Sequence, residues 1–156
     1  IKTFIFDEIP HLVSGDYDGK IKIWNLSTCR LMTTLVANNK QITSLAVANQ
    51  NNGIIIACGC DYGAIAICDL EKDSFTILST STKSPLSCLA FICQGSQLCL
   101  LSRYYNGSLK CWNMADRRII STFDCGGGCS LLTCEIGGKS CICFAKGGEY
   151  GKVLMI

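Results

Sequence analysis

Thiols are the most abundant reactive groups in this sequence: 13 cysteines in 156 residues. That density is near the level of a disulfide-built secreted domain. Three features argue against such a scaffold: the number is odd, no secretory signal opens the chain, and few of the cysteines fall in loops. Cys58, Cys88, Cys99, Cys111, Cys134, Cys141 and Cys143 stand in apolar stretches where Val, Ala or Ser would otherwise serve. A free cysteine behaves there as a small hydrophobe. Cys58/Cys60 and Cys141/Cys143 are separated by one residue, not the two to four of a zinc knuckle, so no metal is expected. Reduced thiols point to the cytoplasm, with the nucleus as the other reducing compartment.

The remaining reactive groups are sparse. His11 is the single histidine and reads as a strand-edge or surface residue after Pro10. Without a second histidine, no nucleophile–base–acid set can be assembled. Asp7-Glu8 is explained as a solvated turn. Gly126-Gly127-Gly128 lacks the Gly-Lys-Ser/Thr that would make it a phosphate loop. No catalytic residue, cofactor site or metal ligand is nominated, and an enzyme is not expected. A net charge of +2 with scattered lysines gives no basic stripe for nucleic acid. No apolar run reaches the roughly 18 residues of a membrane helix.

The organising element is Gly15 to Leu26, GDYDGKIKIWNL. Asp18-Gly19 marks a tight turn, and Lys20 to Trp24 alternates polar and apolar, as a half-buried strand does. The stretch recurs with turn glycines Gly19, Gly63, Gly107 and Gly151, each 44 residues after the last. The aromatic position keeps the same step through Trp24, Cys68, Trp112 and Ile156. Strands and turns recur too often for helices of ordinary length.

A period of about 40–45 residues with a Trp-Asp-like end is the mark of a propeller blade. Over its whole length the chain resembles the WD-repeat β-propeller family. The resemblance implies an all-β fold of four-stranded antiparallel blades, with strands a to d running outward from the axis. The repeat divides residues 1–156 into blades at about 1–37, 42–80, 86–125 and 129–156, the last lacking strand d. Comparing IKTFIF with ITSLAV makes the first a–b hairpin three residues shorter than the second. Family propellers close with more blades, so the expectation is a fragment, or a half-ring completed by the rest of the propeller or a second copy. The family's internal hydrogen-bond network is matched in part: by Ser14, Asp18 and Trp24 in the first blade, and by Ser102, Asn106 and Trp112 in the third. These residues, with the four turn glycines, are expected to be structural.

All five tyrosines, Tyr17, Tyr62, Tyr104, Tyr105 and Tyr150, fall in b–c turns. The resemblance places these turns and the d–a crossings on one face, the top. Tyrosine suits binding surfaces because it offers large area with little entropy to lose. The same turns and crossings supply Lys40, Lys83 and Arg103 as basic neighbours for an acidic or phosphorylated peptide. The function this supports is a non-catalytic scaffold that binds proteins or peptides through the top face. Tyrosines that merely pack over their own turns are the competing explanation. Two other functions stay open: a phosphoinositide- or membrane-binding propeller, for which Arg117-Arg118 is the only basic pair, and a substrate-receptor module of a larger ubiquitin-ligase or signalling protein.

Overall fold

A computed structural model of the chain describes its residues apart from 38–39, 51–52, 73, 79–82, 127–130, 137–138, 147–148 and 156; in the fourth sheet, side chains are described only at 131, 133, 141 and 142. The described chain forms fifteen strands in four antiparallel sheets. The first holds β1 (Lys2–Phe6), β2 (Ile9–Gly15), β3 (Lys20–Asn25) and β4 (Arg30–Val36). The second holds β5 (Ile42–Gln50), β6 (Gly53–Cys60), β7 (Ile65–Asp69) and β8 (Ser74–Leu78). In the third are β9 (Leu86–Gln94), β10 (Gln97–Tyr104), β11 (Ser108–Asn113) and β12 (Ile119–Asp124). The fourth has β13 (Leu131–Ile136), β14 (Lys139–Lys146) and β15 (Glu149–Met155). Each sheet pairs strands in chain order, as propeller blades do.

Alternation along the strands produces the core. In β3, Ile21 and Ile23 are buried while Lys20, Lys22 and Trp24 lie on the opposite face. One apolar cluster joins Val13, Ile21 and Ile23 of the first blade to Ile54, Ile56 and Cys58 of the second. Another joins Ala57, Ile65 and Ile67 to Leu100 and Trp112. A third joins Leu101, Leu109 and Cys111 to Ile142 of the fourth blade. A single blade cannot bury both its faces; stacked neighbours do it for each other.

The first a–b hairpin is shorter, as its sequence indicates. Phe6 pairs with Ile9 around Asp7 and Glu8, both with positive φ (49° and 62°), the conformation of a tight two-residue hairpin turn. The second and third hairpins are longer than their composition suggests. β5 runs on through Asn49 and Gln50, pairing with Ile54 and Gly53, and β9 runs through Cys93 and Gln94. Backbone pairing carries the strand there, so polar side chains do not end it.

One turn glycine is misplaced by the 44-residue rule. Gly151 lies inside β15, whereas Gly19, Gly63 and Gly107 precede their strands with φ of 76°, 78° and 90°. In the fourth blade β15 has already begun at Glu149, which pairs with Lys146.

The histidine also differs from expectation. His11 is buried, stacked on Phe4 at 5.2 Å between ring centroids, with its Nδ1 at 2.8 Å from the Ile9 carbonyl. It is a packing residue within the first blade.

Candidate functional site: the face of turns and crossings

Backbone hydrogen bonds join each b–c turn of the first three blades to a neighbouring crossing. Ala37 N donates to Gly19 O at 3.0 Å, and Ile42 N to Asp16 O at 3.1 Å. Asp61 N donates to Gln41 O, Tyr105 N to Pro85 O and Cys125 N to Gly107 O. The first two turns are thereby braced by the crossing between them, and the third turn by the crossings on either side of it. Gly107 shows how close the layers come: a Cβ there would lie 2.8 Å from the carbonyl carbon of Gly126.

Asp16 shapes the first turn. Its Oδ1 accepts from Asp18 N at 3.0 Å and Lys20 N at 2.9 Å, and its other oxygen lies 3.7 Å from Lys22 Nζ. The Lys20 backbone bond, helped by that of Asp18 and the nearby lysines, holds its carboxyl below the usual carboxylate value. Asn106 plays part of this role in the third blade, accepting from Ser108 N at 3.1 Å. Asp18 instead reaches Lys20 Nζ at 3.6 Å on the surface. Sequence reasoning passed over Asp16 because the repeat aligns Asp18, not Asp16, with Asn106.

The Trp–Ser part of the internal network is present in both expected blades. Trp24 Nε1 donates to Ser14 Oγ at 3.3 Å, and Trp112 Nε1 to Ser102 Oγ at 2.8 Å. Neither bond includes Asp18 or Asn106.

The tyrosines divide into two groups. Tyr17, Tyr62 and Tyr105 are 79%, 67% and 58% exposed, all on b–c turns. Tyr62 sits at φ 65° in the 3-10 turn Asp61–Gly63, and Lys40 Nζ lies 4.2 Å from its ring centroid. Tyr104, by contrast, is fully buried, with Lys110 Nζ 5.5 Å from its ring centroid. Tyr150 has its backbone in β15 and its side chain outside the described residues.

Arg103 is also fully buried, and its Nη2 donates to Gly126 O at 3.1 Å. It ties the end of β10 to the crossing from beneath. Arg103 and Tyr104 are therefore buried and not exposed contact residues: Arg103 lies under Gly126, and Tyr104 packs in the core between the second and third blades. The repeat hides this, because the positions matching Arg103 are Gly15 and Gly59.

On the opposite face, Arg117 of the β11–β12 turn donates from Nη1 to Thr76 Oγ1 of β8, bridging the second and third blades. That takes Arg117 out of any free basic pair with Arg118.

Ten described cysteines are thiols rather than disulfides. Burial pushes Cys58, Cys88, Cys99, Cys111 and Cys125 upward, Cys111 to about 11. A thiol so shifted is neutral at pH 7 and a poor nucleophile. Among the described residues, no group of three or more His, Cys, Asp or Glu is placed to hold a metal. No described helix is long and apolar enough to cross a membrane.

Comparison with known proteins agrees with this geometry. Residues 8–25 match the WD domain, G-beta repeat. Over 111 residues, 71% of this chain, it is 26% identical to small ribosomal subunit protein RACK1y of Oryza sativa subsp. japonica, covering 31% of that protein. It is 24% identical over 111 residues to small ribosomal subunit protein RACK1 of Caenorhabditis elegans, covering 32% of it. It is also 27% identical over 106 residues to a BTB/POZ domain and WD-repeat protein of Acanthamoeba polyphaga mimivirus, covering 19% of it. The chain thus spans a third or less of the length of these relatives. The matched repeat lies on the β2–β3 hairpin that recurs through the stacked blades, and the repeat match and these relatives support a likeness to WD-repeat proteins.

Proposed function

We propose that the chain is a non-catalytic scaffold that holds a protein or peptide on its face of turns and crossings. The observation that carries this is the placing of Tyr17, Tyr62 and Tyr105, three exposed rings on equivalent turns, over a surface fixed by backbone hydrogen bonds. Rings held on a rigid base lose little entropy when covered, which favours them as anchors. Relatives named as ribosomal subunit proteins fit a role within a larger assembly. The free thiols fit a reducing compartment such as the cytoplasm.

The partner's charge is less constrained than the sequence suggests. Arg103 is buried and Lys40 lies over Tyr62, while Asp16, Asp18 and Asp61 share the face. An acidic or phosphorylated peptide is therefore not favoured over a neutral one. The phosphoinositide alternative loses support as well, since Arg117 bridges two blades.

Capture by the immobilised chain, identification of the retained protein and titration of that protein test the reading. Tyr62→Ala and Tyr105→Ala should each weaken binding by about 1–2 kcal/mol, the size of an aromatic anchor. Arg118→Ala on the opposite face should leave it unchanged. Binding lost through Arg118 and kept in both tyrosine variants would move the site to that opposite face.

A further inference from the structure

The crossing from the second blade to the third carries Lys83, Ser84 and Pro85 outside any strand. Hydrogen bonds tie it to the turn that bears Tyr105. Asn106 N donates to Ser84 Oγ at 3.1 Å, and Tyr105 N donates to Pro85 O at 3.1 Å. The Ser84 hydroxyl is therefore lodged against the backbone of the turn that holds the Tyr105 ring in water. Asn106 Oδ1 accepts from Ser108 N, which steadies that turn.

One blade earlier, the same step of the repeat makes the same kind of contact. Lys40 stands 44 residues before Ser84, and Tyr62 stands 44 before Asn106. There Lys40 Nζ lies 4.2 Å from the centroid of the Tyr62 ring. This position of the crossing thus reaches the b–c turn in both places, and its chemistry sets the charge beside an exposed tyrosine. In one crossing it is a cation. In the next it is a hydroxyl, which can be made an anion.

Ser84 meets what a protein kinase asks of an acceptor. It is partly exposed, lies outside the strands, and is flanked by exposed Lys83 and Pro85. The residue before a proline is restricted to extended conformations, the shape in which a segment lies along a kinase cleft. Pro85 also removes a backbone N–H beside the acceptor, which suits a pocket that offers that N–H no partner. The other proline, Pro10, follows Ile9, so Ser84-Pro85 is the one Ser/Thr–Pro step in the sequence.

We propose that Ser84 is the acceptor of a proline-directed serine/threonine kinase, and that phosphate there releases a partner from the Tyr105 turn. The release rests on the scaffold function proposed for this face; the acceptor site does not. In the transfer, the bond from the γ-phosphorus of ATP to its bridging oxygen breaks and a bond from Ser84 Oγ to that phosphorus forms. The hydroxyl proton passes to the base of the kinase, and ADP leaves. A charge of about −2 then stands beside Tyr105, within reach of the Asn106 N–H. A partner that covers Tyr105 must take that charge out of water, which costs affinity.

The test uses the full 156-residue chain, a proline-directed kinase and magnesium ATP. Mass spectrometry should place one phosphoryl group on Ser84. Ser84→Ala and Pro85→Ala should both lose it, the second while keeping the hydroxyl. In isotope-labelled phosphorylated chain, the Asn106 amide resonance should move as the phosphate ionises at a pH of about 6. Neither reading needs a partner. For the captured and titrated partner, phosphorylation should raise Kd about tenfold or more, the low end of the cost of covering an unpaired charge. In the Tyr105→Ala chain it should raise Kd far less. Phosphate absent from Ser84, or still added there in Pro85→Ala, would overturn the acceptor site. An Asn106 amide that ignores the phosphate, or an affinity unchanged or tightened by it, would overturn the release. Capture that survives both Tyr62→Ala and Tyr105→Ala would sink the scaffold function and the release with it, and the acceptor site would then stand or fall on the mass and amide readings.

Discussion

Trp24 and Trp112 make the same bond to a serine ten residues earlier, yet their surroundings differ. Trp112 is enclosed between the second and third blades, whereas Trp24 remains partly exposed. Their truncations should therefore differ in cost. Trp112→Ala should destabilise by about 3–5 kcal/mol, as loss of a buried aromatic does. Trp24→Ala, at a partly exposed site, should cost about 1–2 kcal/mol. Denaturant melts of both variants check this, and equal losses would contradict the assignment of faces. Asp16 gives a second prediction at this scale. Its folded pKa lies below the ordinary 3.8, chiefly because its carboxylate accepts the Lys20 amide. A lowered carboxylate contributes stability that is complete above the unfolded pKa and is lost as pH falls through the folded one. The stability gap between the native chain and Asp16→Asn should therefore be constant above about pH 5 and close progressively below 3.8. A gap independent of pH down to acid unfolding would show that the charge on Asp16 contributes nothing.

Strands were the most legible elements, because a period-two pattern and a 44-residue repeat both identify them. The c strands begin within a residue of their expected starts in the first three blades. Hairpin ends were less legible: Asn49-Gln50 and Cys93-Gln94 look like turn or surface sequence but continue the ladder, since pairing depends on the backbone. Gly151 misled for a related reason. Spacing alone placed it in a turn, whereas it lies inside β15, whose Glu149 already pairs with Lys146. Gly107 is where turn and crossing constrain each other most. It needs φ of 90°, and it lies against the Gly126 backbone. Gly95, at φ 59° with nothing within 4 Å of an added Cβ, has only the first constraint. Gly107→Ala should destabilise by about 1–3 kcal/mol more than Gly95→Ala, because a rigid backbone clash adds to the strain of φ. Melting curves for the two variants decide it, and equal losses would mean that the crossing yields freely.

At the scale of the whole molecule, the stacked blades separate two jobs. Inter-blade faces bury the aliphatic strands, and the turns and crossings carry the exposed rings. The recurrence of tyrosine in the b–c turns was legible in the sequence; which rings stay in water was not. Tyr104 and Tyr105 are chain neighbours, yet one is enclosed with Lys110 and the other projects. Arg103 was illegible for a similar reason, because its burial depends on Gly126, a residue 23 positions away. The decisive measurement is the affinity of a captured partner for the triple variant Tyr17→Ala/Tyr62→Ala/Tyr105→Ala against the native chain, with matched melting temperatures as the control for folding. A loss of at least about 2 kcal/mol, roughly thirtyfold in Kd, is the predicted result. Unchanged affinity in a fully folded triple variant would contradict the assignment of the binding surface to these turns.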